Sequence, residues 1–200
     1  PVFGHGAPNI AGAIRGPSRL DWDDFVVSLA GSSTWGNALS GNGTVVKRGP
    51  GTLVLADHAN NAGGLRVEAG VVEASRRVQG PVSILAGGTL RSGEGFGGPI
   101  DNGGRLEVRP TQGNAAQANT TVVAGNYWQQ PGATLSMSLG HYLAATGAVT
   151  LDGGTLHVAG VSPGYVTRAR ETVLTGQGGL TGQFSQLTWA GNLFLQATLG

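Results

Sequence analysis

The sequence predicts an all-β fold, a right-handed, single-stranded parallel β-helix in which short strands wind into a solenoid. Three observations carry this. A glycine turn followed by a short alternating strand recurs as Gly51-Thr52-Leu53-Val54-Leu55, Gly64-Leu65-Arg66-Val67, Gly88-Thr89-Leu90-Arg91, Gly104-Arg105-Leu106-Glu107-Val108 and Gly154-Thr155-Leu156-His157-Val158, with a looser copy at Pro131–Met137. With Leu53, Val71, Leu90 and Leu106 as one apolar anchor per coil, the repeats are 18, 19 and 16 residues apart. Units this short bury no apolar face alone and must stack on their neighbours. Finally, 37 of the 200 residues are glycine, without a Gly-X-Y period; they supply the corners that short strands need.

Within each strand, alternation sends every second side chain inward. Leu53, Leu55, Leu65, Val67, Leu106, Val108, Leu156 and Val158 are the expected core residues. Thr52, Val54, Arg66, Glu107 and His157 face outward. Pro8–Ile14 reads as a short helix ended by Gly16-Pro17, and Leu20–Ala30 as a strand or cap. Repeats run from about Ser33 to residue 110, and the polar stretch Thr111–Asn119 reads as a loop between subregions. Seven of the twelve aromatic residues lie in the last 75 positions. Aromatic rings bury large areas, so that end is expected to hold the most stable core.

Composition excludes several functions. Charged residues make up 12% of the chain and the net charge is +1, so no basic stripe exists to neutralise phosphates or an anionic membrane. Lys47-Arg48, Arg76-Arg77 and the Arg168/Arg170 pair read as isolated, solvated charges at turns or edges. No stretch reaches the ~18 apolar residues of a membrane helix, and no signal peptide is present. Without cysteine, stability rests on stacking rather than disulfides, which suits a chain that crosses a membrane unfolded. A chain opening on Pro1 and closing at Gly200 within the apolar pattern Leu193–Leu199 reads as part of a longer precursor.

The sequence from Gly43 through Lys47-Arg48-Gly49-Pro50-Gly51-Thr52-Leu53-Val54-Leu55, then Asn60-Asn61-Ala62-Gly63-Gly64-Leu65-Arg66-Val67-Glu68-Ala69-Gly70, resembles the passenger-associated transport repeat of Gram-negative autotransporters. It departs from that pattern at Val46 and in lacking a tyrosine after the asparagines. Tyr127-Trp128-Gln129-Gln130-Pro131-Gly132-Ala133-Thr134-Leu135, continuing through Gly153-Gly154-Thr155-Leu156 and Gly164-Tyr165 to Gly182-Gln183-Phe184, is similar to the autochaperone segment before the membrane barrel. The run from Val2 through Gly4-His5-Gly6 to Gly16-Pro17 looks like the close of a subtilisin-like protease domain.

The resemblance implies the passenger of a subtilisin-like serine protease autotransporter. Residues 1–20 would be the edge of the upstream protease domain, 21–110 a β-helix bearing the transport repeat, and 111–200 a C-terminal β-helix with an autochaperone role. It implies export through the Gram-negative outer membrane to the cell surface or medium. The partners it implies are the chain's own upstream protease and downstream barrel, with the stalk itself monomeric. An adhesive rod binding host-surface ligands is the alternative.

No catalytic, cofactor-binding or metal-binding residues are expected on the chain. A serine hydrolase needs a nucleophile beside a base and its orienting carboxylate, and the Gly-Thr-Ser context of the subtilisin nucleophile does not occur. Asp57-His58 falls in a turn. His5 is expected to pack on the upstream domain, while His141 and His157 stand alone, without metal-ligand spacing. Glu68 with Glu73, and Glu94 with Glu107, are conceivable glycosidase pairs on neighbouring coils, although eleven acids spread over such a rod produce neighbours by chance. Asp21-Trp22-Asp23-Asp24 reads as a polar cap rather than a calcium site. Gly93–Gly98 is not a phosphate loop, because no Lys-Ser/Thr follows it.

Overall fold

The computed structural model describes residues 14–109, 119–162 and 170–190. The expected helix from Pro8, the loop from Thr111, His5, Tyr165 and the strand Leu193–Leu199 lie wholly or almost wholly outside them. The described residues form strands without an α-helix, every strand pairing among them is parallel, and the architecture is a β-solenoid with three faces.

The pairing registers define each face. On the first, Phe25, Val45, Leu65, Val82, Ile100, Tyr127, Val149 and Leu180 stand in one column, eight rungs deep. The second face stacks Ser33, Leu53, Val72, Leu90, Leu106, Leu135, Leu156 and Leu187. The third runs through Leu39, Ala59, Val78, Phe96, Val123, Ala145 and Gly176. Successive first-face rungs are 20, 20, 17, 18, 27, 22 and 31 residues apart along the chain. The intervals of 27 and 31 contain residues 110–118 and 163–169. The stack continues across the first of these, since Ile100 pairs with Tyr127 and Leu106 with Leu135.

All eight expected core residues are buried. One anchor shifts. Leu53 pairs with Val72 rather than Val71, so Val72 is fully buried and Val71 is half-buried. Strands Leu65–Ala74 and Val82–Ser92 pass from the first face to the second without a break, and their register shifts between Val67 and Ala69. That irregularity flips the alternation by one residue, which simple counting from Leu65 does not reveal.

Of the seven C-terminal aromatic residues, the five that are described divide between core and surface. Among those described after Thr120, Tyr127 and Phe184 are buried, whereas Trp128, Tyr142 and Trp189 are 44%, 37% and 46% exposed. Trp128 lies between the inward residues Tyr127 and Gln129, on the outward parity. The rung Leu180–Gln183 is exposed throughout, and among the described residues it is paired only with Val149–Asp152. At the other end, residues 14–20 lie against the first coil: the Gly36 amide donates to Arg15 O and the Leu20 amide to Ser40 O. Trp35 is buried there, with Phe25 edge-on at 5.7 Å.

Coil corners set the glycine requirement. Gly64 has φ +78° and a Cβ there would collide with the carbonyl oxygen of Pro81 on the next rung. Gly64→Ala is therefore expected to lower stability by about 1–3 kcal/mol from backbone strain, with the collision adding to it. Leu90→Ala, in the middle of the leucine column, should cost about 2–5 kcal/mol. Both are read as a drop in the urea midpoint followed by circular dichroism; a shift no larger than that of Val71→Ala would contradict the register described.

Candidate functional site

The segment resembling the transport repeat makes a full coil. Val45–Arg48 lies on the first face, Thr52–Leu55 on the second and Ala59 on the third, before the chain returns to the first at Leu65. Its polar residues work on the inside. Lys47 is wholly buried, and its Nζ donates to the carbonyl oxygens of Arg48, Gly49 and Ala69 at 2.8, 2.8 and 3.1 Å. Burial lowers its pKa. Lys47 is thus not the solvated charge expected from the Lys47-Arg48 doublet. It stands two residues after the inward Val45, on the inward parity, and its three donors tie the Arg48–Gly49 corner to Ala69 on the next rung. Asn61, also buried, closes the next corner by donating to Gly43 O and Gly64 O at 2.9 and 2.6 Å.

A second interior polar group lies further along. Asn102 Nδ2 donates to Gln129 Oε1 at 2.8 Å, to Thr134 O at 3.1 Å and to Tyr127 Oη at 3.3 Å. The Tyr127 hydroxyl also donates to Gln129 Oε1, and burial pushes its pKa well above the usual phenol value. Asn102 and Gln129 occupy the same inward column as Lys47. Sequence reading missed all three because it assigned apolar residues to every inward position.

The acidic residues weighed for hydrolysis are each held by arginine. Arg48 bonds Glu68 at 2.6 Å and Arg66 bonds it at 3.1 Å. On the second face Glu73, Arg91 and Glu107 stand opposite one another on successive rungs. Arg91 bonds both glutamates, at 2.9 and 2.8 Å, while Arg105 bonds Glu107 at 2.7 Å. Arg76 holds Glu94 at 2.8 Å. The hydrogen bond from Arg48 leads in lowering the Glu68 pKa. Burial pushes Glu107 upward, but bonds from Arg105 and Arg91 outweigh it and the net shift is down. A general acid needs the opposite shift. Neither Glu68 nor Glu107 is therefore tuned as a general acid.

The described histidines and the remaining motifs take up turn, core and outer-face positions. Asp57-His58 is a turn in which Asp57 Oδ1 accepts from the His58 amide at 2.7 Å. His141 is buried, with Nε2 2.9 Å from Thr121 Oγ1. His157 sits on the outer second face beside Thr188, 2.9 Å away, and burial foremost, then Arg105, lowers its pKa. Asp21 pairs with Arg19, and Asp24 with Arg66 across to the third rung. Among the described residues no three His, Cys, Asp or Glu side chains gather as metal ligands. Gly93–Gly98 is a coil corner that turns Phe96 fully into the core.

These features define a parallel β-solenoid in which Lys47 and Asn61 close coils and Glu68, Glu73, Glu94 and Glu107 pair with arginines. Compared with protein-family models, curated proteins and solved structures, the chain has no match in any of the three.

Acid should weaken the rod. Glu68 and Glu107 have lowered folded pKa values, so the stability they contribute is present above the unfolded carboxylate value of about 4.3 and is lost as pH falls through the folded values. His157, also lowered, acts in the same direction below its unfolded value of about 6.5. The urea midpoint is expected to fall between pH 7 and pH 3, and Glu107→Gln should narrow that difference by up to about 1 kcal/mol. Lys47→Met should cost about 1–3 kcal/mol at pH 7 by removing the bonds to Gly49 O and Ala69 O, while Arg48 O keeps its bond from the Leu29 amide; unchanged stability would count against the corner role.

Proposed function

We propose that this chain is the non-catalytic stalk of a secreted autotransporter serine protease. It would be a β-helical passenger segment between a subtilisin-like domain and an outer-membrane barrel, supporting the folding and surface display of the protease. The observation that carries the reading is the transport-repeat-like segment Gly43–Gly70: it winds one whole coil and is hydrogen-bonded to rungs on both sides. In such a stack each coil is stabilised by its nearest neighbours, so folding propagates rung by rung from whatever has already formed. A chain emerging through a pore and folding in that way resists sliding back. The pairing of the outward glutamates with arginines also fits a structural stalk, with hydrolysis assigned to the upstream domain.

A second reading, an adhesive rod, is favoured by one observation: the open first-face groove around Trp128. The two readings are compatible on one stalk.

In a precursor carrying both the protease and the barrel, deletion of residues 126–199 is expected to reduce the yield and protease resistance of the surface passenger. Unchanged yield and resistance would reject the folding role. The purified 200-residue chain is expected to leave a general peptide substrate intact; its hydrolysis would overturn the placement of catalysis elsewhere.

A further inference from the structure

The outer surface of the first face carries a groove of about 460 Å³ running along the rod. Its floor is the outward column Arg66, Ser83, Asp101 and Trp128, one residue from each of four successive rungs. At about 4.8 Å per rung that column is about 14 Å long. The long side chains Arg66 and Trp128 stand at its ends and the short Ser83 lies between, which is what makes the surface concave. Pro81 and Pro99, both exposed and in equivalent places on consecutive rungs, form one wall.

Trp128 is 44% exposed and its indole Nε1 donates to Asp152 Oδ2 at 2.6 Å. The ring is thereby oriented before any ligand arrives, which reduces the entropy lost on binding. The cation of the groove is already paired, whereas its carboxylate is only hydrogen-bonded. Arg66 is bonded to Glu68 and Asp24, and Asp101 accepts from Gln130 Nε2. An anionic ligand therefore meets no unpaired cation here and is repelled by Asp101, whereas hydroxyl groups can donate to the Asp101 carboxylate. The groove also lies on the outer face of a sheet whose backbone groups are spent in ladders to both neighbouring rungs. An extended peptide could not join as a strand and would leave its own amides unpaired.

We infer that this groove binds a neutral linear oligosaccharide, stacked on Trp128 and hydrogen-bonded by Ser83, Asp101 and Arg66. A sugar ring offers an apolar face for the indole and the proline wall, and brings hydroxyls that donate to Asp101 and accept from Arg66. Few placed polar groups among apolar lining is the usual make-up of a ligand site. The inference stands apart from the stalk reading, because it concerns the outer surface of a rod whose stacking lies inside.

The test titrates the full 200-residue chain with cellohexaose, chitohexaose and maltohexaose by isothermal calorimetry and ligand-detected NMR, with a proline-rich decapeptide alongside. At least one hexasaccharide is expected to bind. Trp128→Ala should weaken it at least about tenfold, while Trp189→Ala, an equally exposed indole on the second face, should stay within about twofold. Ser83→Phe, which fills the groove floor and leaves Trp128 in place, should abolish binding while the circular-dichroism spectrum is unchanged. Binding of none of the hexasaccharides at up to about 5 mM, binding that survives both groove substitutions, or binding of the decapeptide in their place would overturn the inference. Failure here leaves the precursor deletion experiment untouched, since that reads folding and display.

Discussion

Register between successive coils is the constraint on which everything else in this molecule depends. A single coil has a few inward side chains and no second layer to cover them. Burial comes only when the next coil sets its own leucine on the same axis, as Leu53, Val72, Leu90, Leu106, Leu135 and Leu156 do. A slip of one residue in any rung would turn its apolar set outward and break that column. Parallel ladders fix the slip distance and hydrophobic burial penalises any other. The outer surface reinforces the same alignment, because Glu73, Arg91 and Glu107 attract one another only in this register.

Corners are the cost of that arrangement. Each coil must turn three times, within 17 to 22 residues where the whole coil is described, and corners such as that at Gly49 point backbone carbonyls toward the interior. Glycines with positive φ make the bend possible, and buried side chains then satisfy what the bend leaves over. Lys47 and Asn61 are the clearest instances, each bonding carbonyls on its own coil and on a neighbouring one. The residues that carry the resemblance to the transport repeat are therefore largely those that close a coil. They speak of how the rod is built, and through that of a chain suited to folding by accretion.

The outer faces divide into two kinds of surface. Along the second face and its corners, arginine and glutamate pair at close range. On the first face the column from Arg66 to Trp128 leaves an open concavity with a fixed indole. Solenoids separate these roles readily, since the inward parity holds the fold and the outward parity is left for display. A substitution at Ser83, which holds no ion pair in this outer column, changes what the rod presents while leaving the inward column intact.

Much of the fold was legible in the sequence because its cause is local and repeated. Glycine turns at intervals near eighteen residues, each followed by apolar alternation, demand short strands; strands too small to bury anything singly demand stacking. The inward parity of Leu53, Leu65, Leu106 and Leu156 follows from alternation alone. What tertiary structure decided was everything that depends on a neighbouring rung. The shift from Val71 to Val72 arises at an irregularity between paired strands, the burial of Lys47 from carbonyls brought to it by Gly49 and Ala69, and the exposure of Trp128 and Trp189 from parity and from position in the stack. The groove likewise joins residues 66, 83, 101 and 128, which no spacing in the chain marks as companions. Periodicity encodes the coil, whereas a surface running across coils exists only after register has aligned them.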